Sequence, residues 1–341
     1  MKKLLLPLVL GALALGCSNN GSSSASGGTD ANGGKGGRDV KIGYLVKSAT
    51  EVWFQTEHKF AEEAAKKDGF TLLFQATPDA DKVLNSLDNL AAQGAQGVII
   101  CSPDVKLGAS IKRKCEELNM KLMSVDDRLV GADGQPLTDI HHLGISATKI
   151  GNMVGDAINA EMKARGWNPS EVGALVLSQE ELETSRERVD GATEILTQNG
   201  FDKNRIWHAG WKQYDIPGAH DAADVVLTQH PEVKKWVIYS LNDDGVLGGV
   251  RATEDHNIPA ENVIGVGING TSGVDDLKKD KPTGFFASVL LSARTHAFDT
   301  CHAMYEWITK NKEPEKEHYT TGVLITRKDF KEKMQAEGLT P

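Results

Sequence analysis

From Asp39 onward the chain alternates short apolar runs with longer stretches in which apolar positions recur every three or four residues. Short apolar runs bounded by turn residues predict buried strands, and the longer periodic stretches predict amphipathic helices. The pattern predicts strands at 39–46, 70–75, 97–101 and 121–125, with helices at about 52–67, 81–93 and 107–118. A second series opens with a helix from about 147 to 165. Strands at 174–178, 205–209, 236–240 and 263–266 follow, separated by helices at about 184–198, 219–229 and 245–255. Strands alternating with helices imply βαβ units, hence parallel sheets covered on both faces. Two such series imply two doubly wound α/β lobes. In open parallel sheets a ligand lies beyond the carboxyl ends of the strands, so the polar residues just after each strand are the ones to inspect.

The first 38 residues break this pattern. Lys2 and Lys3 precede an apolar stretch at 4–15, which is the layout of a secretory signal and too short for a permanent membrane span. The run Leu13-Ala14-Leu15-Gly16-Cys17 resembles a bacterial lipobox, with Leu13 one place earlier than usual. Cleavage after residue 16 would leave Cys17 as a lipidated N-terminus; ordinary signal cleavage, with Cys17 unmodified or removed, is the alternative. Residues 18–37 are almost all Ser, Asn, Gly, Ala, Thr and Asp, a composition that forms a flexible tether. About twenty such residues reach roughly 25 Å.

Charge narrows the partners. The chain carries 38 basic and 47 acidic residues, a net charge of −9, which argues against nucleic acid. Beyond Cys17 the cysteines are Cys101, Cys115 and Cys301, too few and too scattered for a disulfide framework. Buried thiols are expected instead.

The strand ends hold a mixed polar set: Lys47, then Glu51, Trp53 and Phe54; Cys101 to Asp104; Asp126 and Asp127; Glu181, Leu182, Thr184 and Arg188; Asn242 and Asp243; Asn269. Carboxylates accept from hydroxyls, Lys and Arg donate to them, and Asn does both, so the set suits an uncharged polyhydroxylated ligand. An aromatic ring can cover the apolar face of a sugar. Each residue also has a structural reading: Asp126 and Asp127 as turn or cap residues, Trp53 and Phe54 as core, Asn242 as an N-cap, Arg188 as a solvated helix residue. Their shared position at strand ends favours the binding reading.

Other chemistry finds no support in the sequence. Residues 265–270 (GVGING) match the G-x-G-x-x-G pattern, but the acidic residue a dinucleotide site needs about twenty residues on is missing from 285–291. The segment reads as a strand end with turn glycines. His141 and His142 are adjacent, so on a strand they point to opposite faces and make a poor chelate. With no nucleophile elbow, zinc motif or paired cysteines, the chain is expected to be neither an enzyme nor a metal or cofactor protein.

With these residues laid out, the chain from about Lys41 onward resembles the bacterial periplasmic sugar-binding proteins that serve ABC transporters. The resemblance rests on residues 41–47 (KIGYLVK), 53–57 (WFQTE), Asp104 with 106–108 (KLG), 147–151 (ATKIG), 215–219 (DIPGA), 246–254 (VLGGVRATE) and 265–270. It implies the type I periplasmic binding fold, two doubly wound parallel-sheet lobes joined by a three-segment hinge. The lobes would be 39–145 plus 292–320 and 146–291 plus 321–341. The hinge would lie near Ser146, 289–292 and 320–323, with a strand at 284–289 and helices at 293–310 and 327–337. The resemblance carries ligand contacts onto Lys47, Glu51, Trp53, Phe54, Cys101, Asp126, Asp127, Leu182, Thr184, Arg188, Asn242 and Asn269. Three cleft positions depart from the family pattern: Ile145 replaces a Met, Ser272 an Asp, and Leu291 a hinge Pro. The implied ligand is a monosaccharide, L-arabinose first and D-galactose or D-fucose behind it. The implied partners are an ABC permease and ATPase, met by a monomer held at the membrane, in the periplasm or at the cell surface, through lipidated Cys17. A receptor for a chemoreceptor or sensor kinase is one alternative; a sugar-sensing regulator domain is another, weakened because a signal and tether stand where a helix-turn-helix would be.

Overall fold

The computed structural model describes residues 39–211 and 213–341. The signal, Cys17 and the tether lie outside the described residues. The first sheet is built from β1 (Lys41–Val46), β2 (Thr71–Ala76), β3 (Gly97–Ile100), β4 (Lys121–Asp126), β5 (His141–Ile145) and β11 (Glu317–Thr320), in the order β11-β5-β4-β3-β1-β2. All its pairings are parallel. The second sheet contains β6 (Val172–Ser178), β7 (Ile206–Gly210), β8 (Lys235–Ser240), β9 (Val263–Asn269), β10 (Phe285–Leu290) and β12 (Val323–Thr326). Its order is β12-β10-β9-β8-β6-β7, parallel except where β12 runs antiparallel to β10. Central strands such as β6 and β9 are buried at every position, which is why they read as continuous apolar runs.

The helices between strands are α1 (Val52–Asp68), α2 (Val83–Ala92), α3 (Gly108–Glu117), α4 (Ala147–Ala164), α5 (Glu183–Gln198), α6 (Ile216–Gln229) and α7 (Asp243–Asp255). A short α8 (Val274–Lys278), α9 (Thr300–Lys310) and α10 (Phe330–Ala336) complete the set. α1 ends at Asp68, within a residue of the predicted 52–67: Gly69 adopts φ 78° and its N–H donates to the Ala65 carbonyl. Among the described residues no helix is long and apolar enough to cross a membrane. Cys101, Cys115 and Cys301 are buried free thiols.

Four local readings change. The helix expected at 293–310 begins as a π-helical turn, Thr295–Asp299, before α9 starts. β5 was not among the predicted strands; its short HHLGI segment opens with two histidines. The edge strands β11 and β12, whose residues are mostly exposed or half-buried, were likewise unforeseen. Finally, Gly267 lies inside β9, alongside Gly265 of the predicted strand, rather than in a turn, because the neighbours leave no room there. A Cβ on Gly267 would stand 2.1 Å from Asp243 Oδ1, and one on Gly265 2.8 Å from Val246. Only Gly270, at φ 67°, turns the chain.

The chain passes between the sheets three times, from β5 to α4, from β10 to the π turn, and from β11 to β12. These crossings are laced together. Ser146 N–H donates to the Thr320 carbonyl at 2.7 Å, and a Cβ on Gly322 would lie 2.2 Å from Val289 Cγ1. One cluster of buried apolar side chains runs from Tyr44 and Phe60 through Leu291 and Ala293 to Val176 and Tyr239, spanning both sheets.

Candidate functional site

The predicted residues fall at the carboxyl ends of strands of both sheets. Asp127, immediately after β4, is the hub. Its carboxylate pairs with Lys47 Nζ, accepts from Thr184 Oγ1 at 2.8 Å, and lies 3.7 Å from Cys101 Sγ. Lys47 follows β1 and Cys101 follows β3, whereas Thr184 opens α5 beside the second sheet. A direct hydrogen bond therefore crosses from one sheet's strand ends to the other's.

Electrostatics follow from this packing. Burial opposes ionisation of Asp127, but Lys47, Thr184 and Arg188 overcome it and hold the carboxyl below its ordinary value. Burial likewise opposes the Lys47 charge, and Asp127 overcomes it, so the ammonium is held above its usual range. Both groups keep their charges at neutral pH. Burial pushes the Cys101 thiol well up, so it is a neutral thiol rather than a nucleophile. Burial also pushes Glu51 up, although Lys47 pulls it back.

Arg188, one turn into α5, donates from Nη1 to the Leu241 carbonyl, while its Nε is buried without a partner among the described residues. Burial lowers its pKa, against the pull of Asp127 and Asp126. Asn242 is the N-cap of α7; its Oδ1 accepts from Gly245 N–H at 3.0 Å, which leaves its amide N–H groups as the remaining donors. The cap reading and the binding reading are thus compatible.

Asp126 and Asn269 share an unusual backbone. Both end a strand in the left-handed region, at φ 61° and 99°. Left-handed residues outside turns mark sites where the surroundings hold a strained conformation. Asp126 Oδ1 is 2.6 Å from His296 Nδ1, and its Oδ2 is buried without a partner among the described residues.

A cavity of about 370 Å³ opens between the sheets, lined by Asp126, Asp127, Ile145, Leu182 and Thr184 together with Arg128 and Tyr319. Lys47, Cys101 and Arg188 adjoin this wall through Asp127, whereas Glu51, Trp53, Phe54, Asn242, Asn269 and Ser272 are not among the residues that line it. Ser272 lies beside Asp244, and Leu291 is buried in the second crossing, its N–H donating to the Asn269 carbonyl at 3.2 Å. Trp53 and Phe54 both belong to the apolar core, and Trp53 sets its edge against the His296 ring at 5.4 Å between centroids. His141 and His142 do point apart: His141 engages the Glu313–Glu315 segment, and His142 the hydroxyl of Ser124 at 2.9 Å.

Sequence reasoning missed Glu57 and His296, read Thr320 only as a hinge position, and named Asp243 at a strand end without giving it a contact. Asp243 is buried against the turn that follows Asn269. It accepts from the N–H groups of Thr271 and Gly273 and from Ser288, at 2.6–3.1 Å, and burial pushes its carboxyl up to about 7. A signal for Glu57 did exist. It sits in the buried stripe of α1, among Trp53, Phe54, Phe60, Ala61 and Ala64, where every other residue is apolar.

Comparison with known proteins agrees with this architecture. Residues 39–333 match the family model described as periplasmic binding proteins and sugar binding domain of LacI family. The chain is 48% identical over 292 residues to an ABC transporter L-arabinose-binding periplasmic protein of Azospirillum brasilense, covering 85% of this chain and 87% of that one. It is 44% identical over 302 residues to the L-arabinose-binding periplasmic protein of Escherichia coli strain K12, covering 88% and 92%. Among solved structures, a Caulobacter myo-inositol-binding protein superposes with a TM-score of 0.74 at 20% identity, over 89% of this chain and 98% of its own. The binding component of an arabinose ABC transporter from Shewanella sp. ANA-3 gives 0.73 at 15% identity, over 87% and 95%, a likeness of fold alone. With two parallel α/β sheets, strand-end polar groups facing one another and a family match over most of its length, the chain belongs to the periplasmic binding protein family.

Proposed function

We propose that this protein binds a single monosaccharide, L-arabinose first and D-galactose or D-fucose behind it, and delivers it to an ABC transporter without changing it. The observation that carries this reading is the charged network at the strand ends. Asp127 is buried, half-buried Lys47 and Arg188 stand beside it with both signs present, and Arg188 Nε and Asp126 Oδ2 have polar capacity to spare. Donors and acceptors so arranged suit neutral hydroxyls, whereas an excess of either sign would suit an ion. High identity to L-arabinose-binding relatives supports the choice of sugar. Ile145, Ser272 and Leu291 bear on the choice among sugars, since Ser272 supplies no carboxylate and Ile145 and Leu291 reshape the apolar wall.

In this reading the ligand contacts are Lys47, Glu51, Trp53, Phe54, Cys101, Asp126, Asp127, Ile145, Leu182, Thr184, Arg188, Asn242, Asn269 and Ser272. The lobes are 39–145 with 292–320, and 146–291 with 321–341. Closure of one on the other is the signal read by the permease and ATPase. The protein acts as a monomer, exported by its signal and anchored through lipidated Cys17.

Calorimetric titration with a panel of aldopentoses and aldohexoses tests the binding reading. Stoichiometric heat with L-arabinose is expected, and silence across the panel would overturn it. Mass analysis of the membrane fraction tests the anchor: a mature chain beginning at Cys17 with added acyl mass is expected, and an unmodified one refutes it.

A further inference from the structure

Glu57 is fully buried on α1, and neither of its carboxylate oxygens has a hydrogen-bond partner among the described residues. An ionised carboxylate there would lose its hydration with no cation in return. The titratable groups facing it are Tyr44 from β1, Cys101 beyond β3, Asp126 from β4, His296 from the π turn, Cys301 from α9, and Glu51 at the start of its own helix. The nearby ammonium, Lys47, is committed to Asp127. Burial and, after it, the Asp126 carboxylate push Glu57 well above the ordinary carboxylate range, although the Tyr44 hydroxyl pulls it back.

One atom each of Glu57, Asp126 and His296 lies within 4.8 Å of the others. The Glu57 and Asp126 side chains are also within hydrogen-bond reach of each other, and a carboxyl and a carboxylate so placed can share one proton, which relieves both the charge and the missing partners. His296 completes the arrangement. Its Nδ1 meets Asp126 Oδ1 at 2.6 Å, and its Nε2 meets Thr320 Oγ1 at 2.9 Å, within the third crossing. With both ring nitrogens engaged, the cluster is better suited to a proton than to a divalent cation. Asp126 needs such support, because its backbone is held at φ 61°.

We propose that Glu57 is a positioning residue of the sugar site: it carries a proton that it shares with Asp126 Oδ2 and so fixes, together with His296, the carboxylate at the end of β4. Each carboxylate oxygen has two lone pairs, so Asp126 retains acceptor capacity for a sugar hydroxyl. This inference rests on the reading of Asp126 as a sugar contact.

Two measurements test it. Infrared difference spectra of the sugar-free full chain, wild type minus E57Q, should show a protonated carboxyl band at neutral pH that moves on ¹³C-glutamate labelling. Absence of a labelled band in the wild type, which needs no variant, overturns the proposal. Calorimetry with L-arabinose should then find E57Q, which still donates, within about threefold of wild type, and E57L, which cannot, weakened about tenfold or more. E57L binding as tightly as wild type, or E57Q failing as badly as E57L while both remain folded by circular dichroism, also overturns it. Affinity lost on EDTA dialysis and restored by zinc would assign the cluster to a metal instead. If wild type binds no sugar in the panel, the functional reading fails, while the infrared result still decides whether Glu57 holds a proton.

Discussion

Among the described residues five non-glycine residues have positive φ, and three of them, Asn119, Asn257 and Asn311, follow the ends of α3, α7 and α9. The other two, Asp126 and Asn269, end strands inside the proposed site. Arg188 is the residue whose replacement is most informative. It joins the Leu241 carbonyl, next to Asn242, to the field of Asp127, and lysine cannot reproduce its fork of donors. R188K should therefore weaken L-arabinose binding by about 1.5–3 kcal/mol, the range for a hydrogen bond to a charged group, and unchanged calorimetric affinity would remove Arg188 from the site. His142 gives a pH-dependent outcome. Burial, with Arg128 adding, lowers its pKa from 6.5 to about 4. The unfolded chain therefore binds the proton more readily than the folded one between those values, and stability falls as pH drops from 6.5 to 4. Taken at full weight the shift is worth about 3 kcal/mol. Urea unfolding should show that loss in wild type and its absence in H142N; parallel profiles would contradict it. At this scale the sequence reveals charged strand-end residues such as Lys47 and Asp127, because topology alone brings them together. Glu57 and His296 stay hidden because their importance comes from burial, which a helical stripe shows only as one misplaced acid.

The same division holds for elements. Strands and helices with strong periodicity were legible to within a few residues, as α1 and β8 illustrate. The π turn was not, since it depends on how residues 295–299 meet the crossing rather than on their own spacing. Nor was the role of several glycines, which report close approach rather than turns. A Cβ on Gly151 in α4 would stand 2.1 Å from the backbone oxygen of Arg188, and one on Gly191 in α5 2.7 Å from that of Thr148. α4 and α5 thus touch backbone to backbone directly behind the site arginine. G151A should force them apart, at a cost of about 1–3 kcal/mol typical of overpacking, and displace Arg188. Chemical denaturation and calorimetry would find both stability and sugar affinity reduced. A variant as stable and as tight-binding as wild type would show that the pair can slide.

For the whole molecule, the two-lobed architecture was legible because two βαβ series appear in order, while closure is a property of contacts across the cleft. The hydrogen bond from Thr184 to Asp127 is one such contact, and the crossings laced together at Ser146, Thr320 and Gly322 lie where a hinge between the lobes would act. A sugar shifts the open–closed balance only by its differential affinity for the closed form. T184V keeps the side-chain volume but removes the donor, leaving Asp127 to Lys47. Without sugar, its closed population should fall and its radius of gyration in solution scattering should rise above that of wild type. With saturating L-arabinose the two proteins should coincide, because sugar contacts to both lobes restore closure. Affinity should drop by about 0.5–1.5 kcal/mol, the worth of one net hydrogen bond. Scattering curves that do not change on adding sugar, in wild type as in T184V, would mean that the cleft does not close around its ligand, and the delivery mechanism would have to be read from one lobe alone.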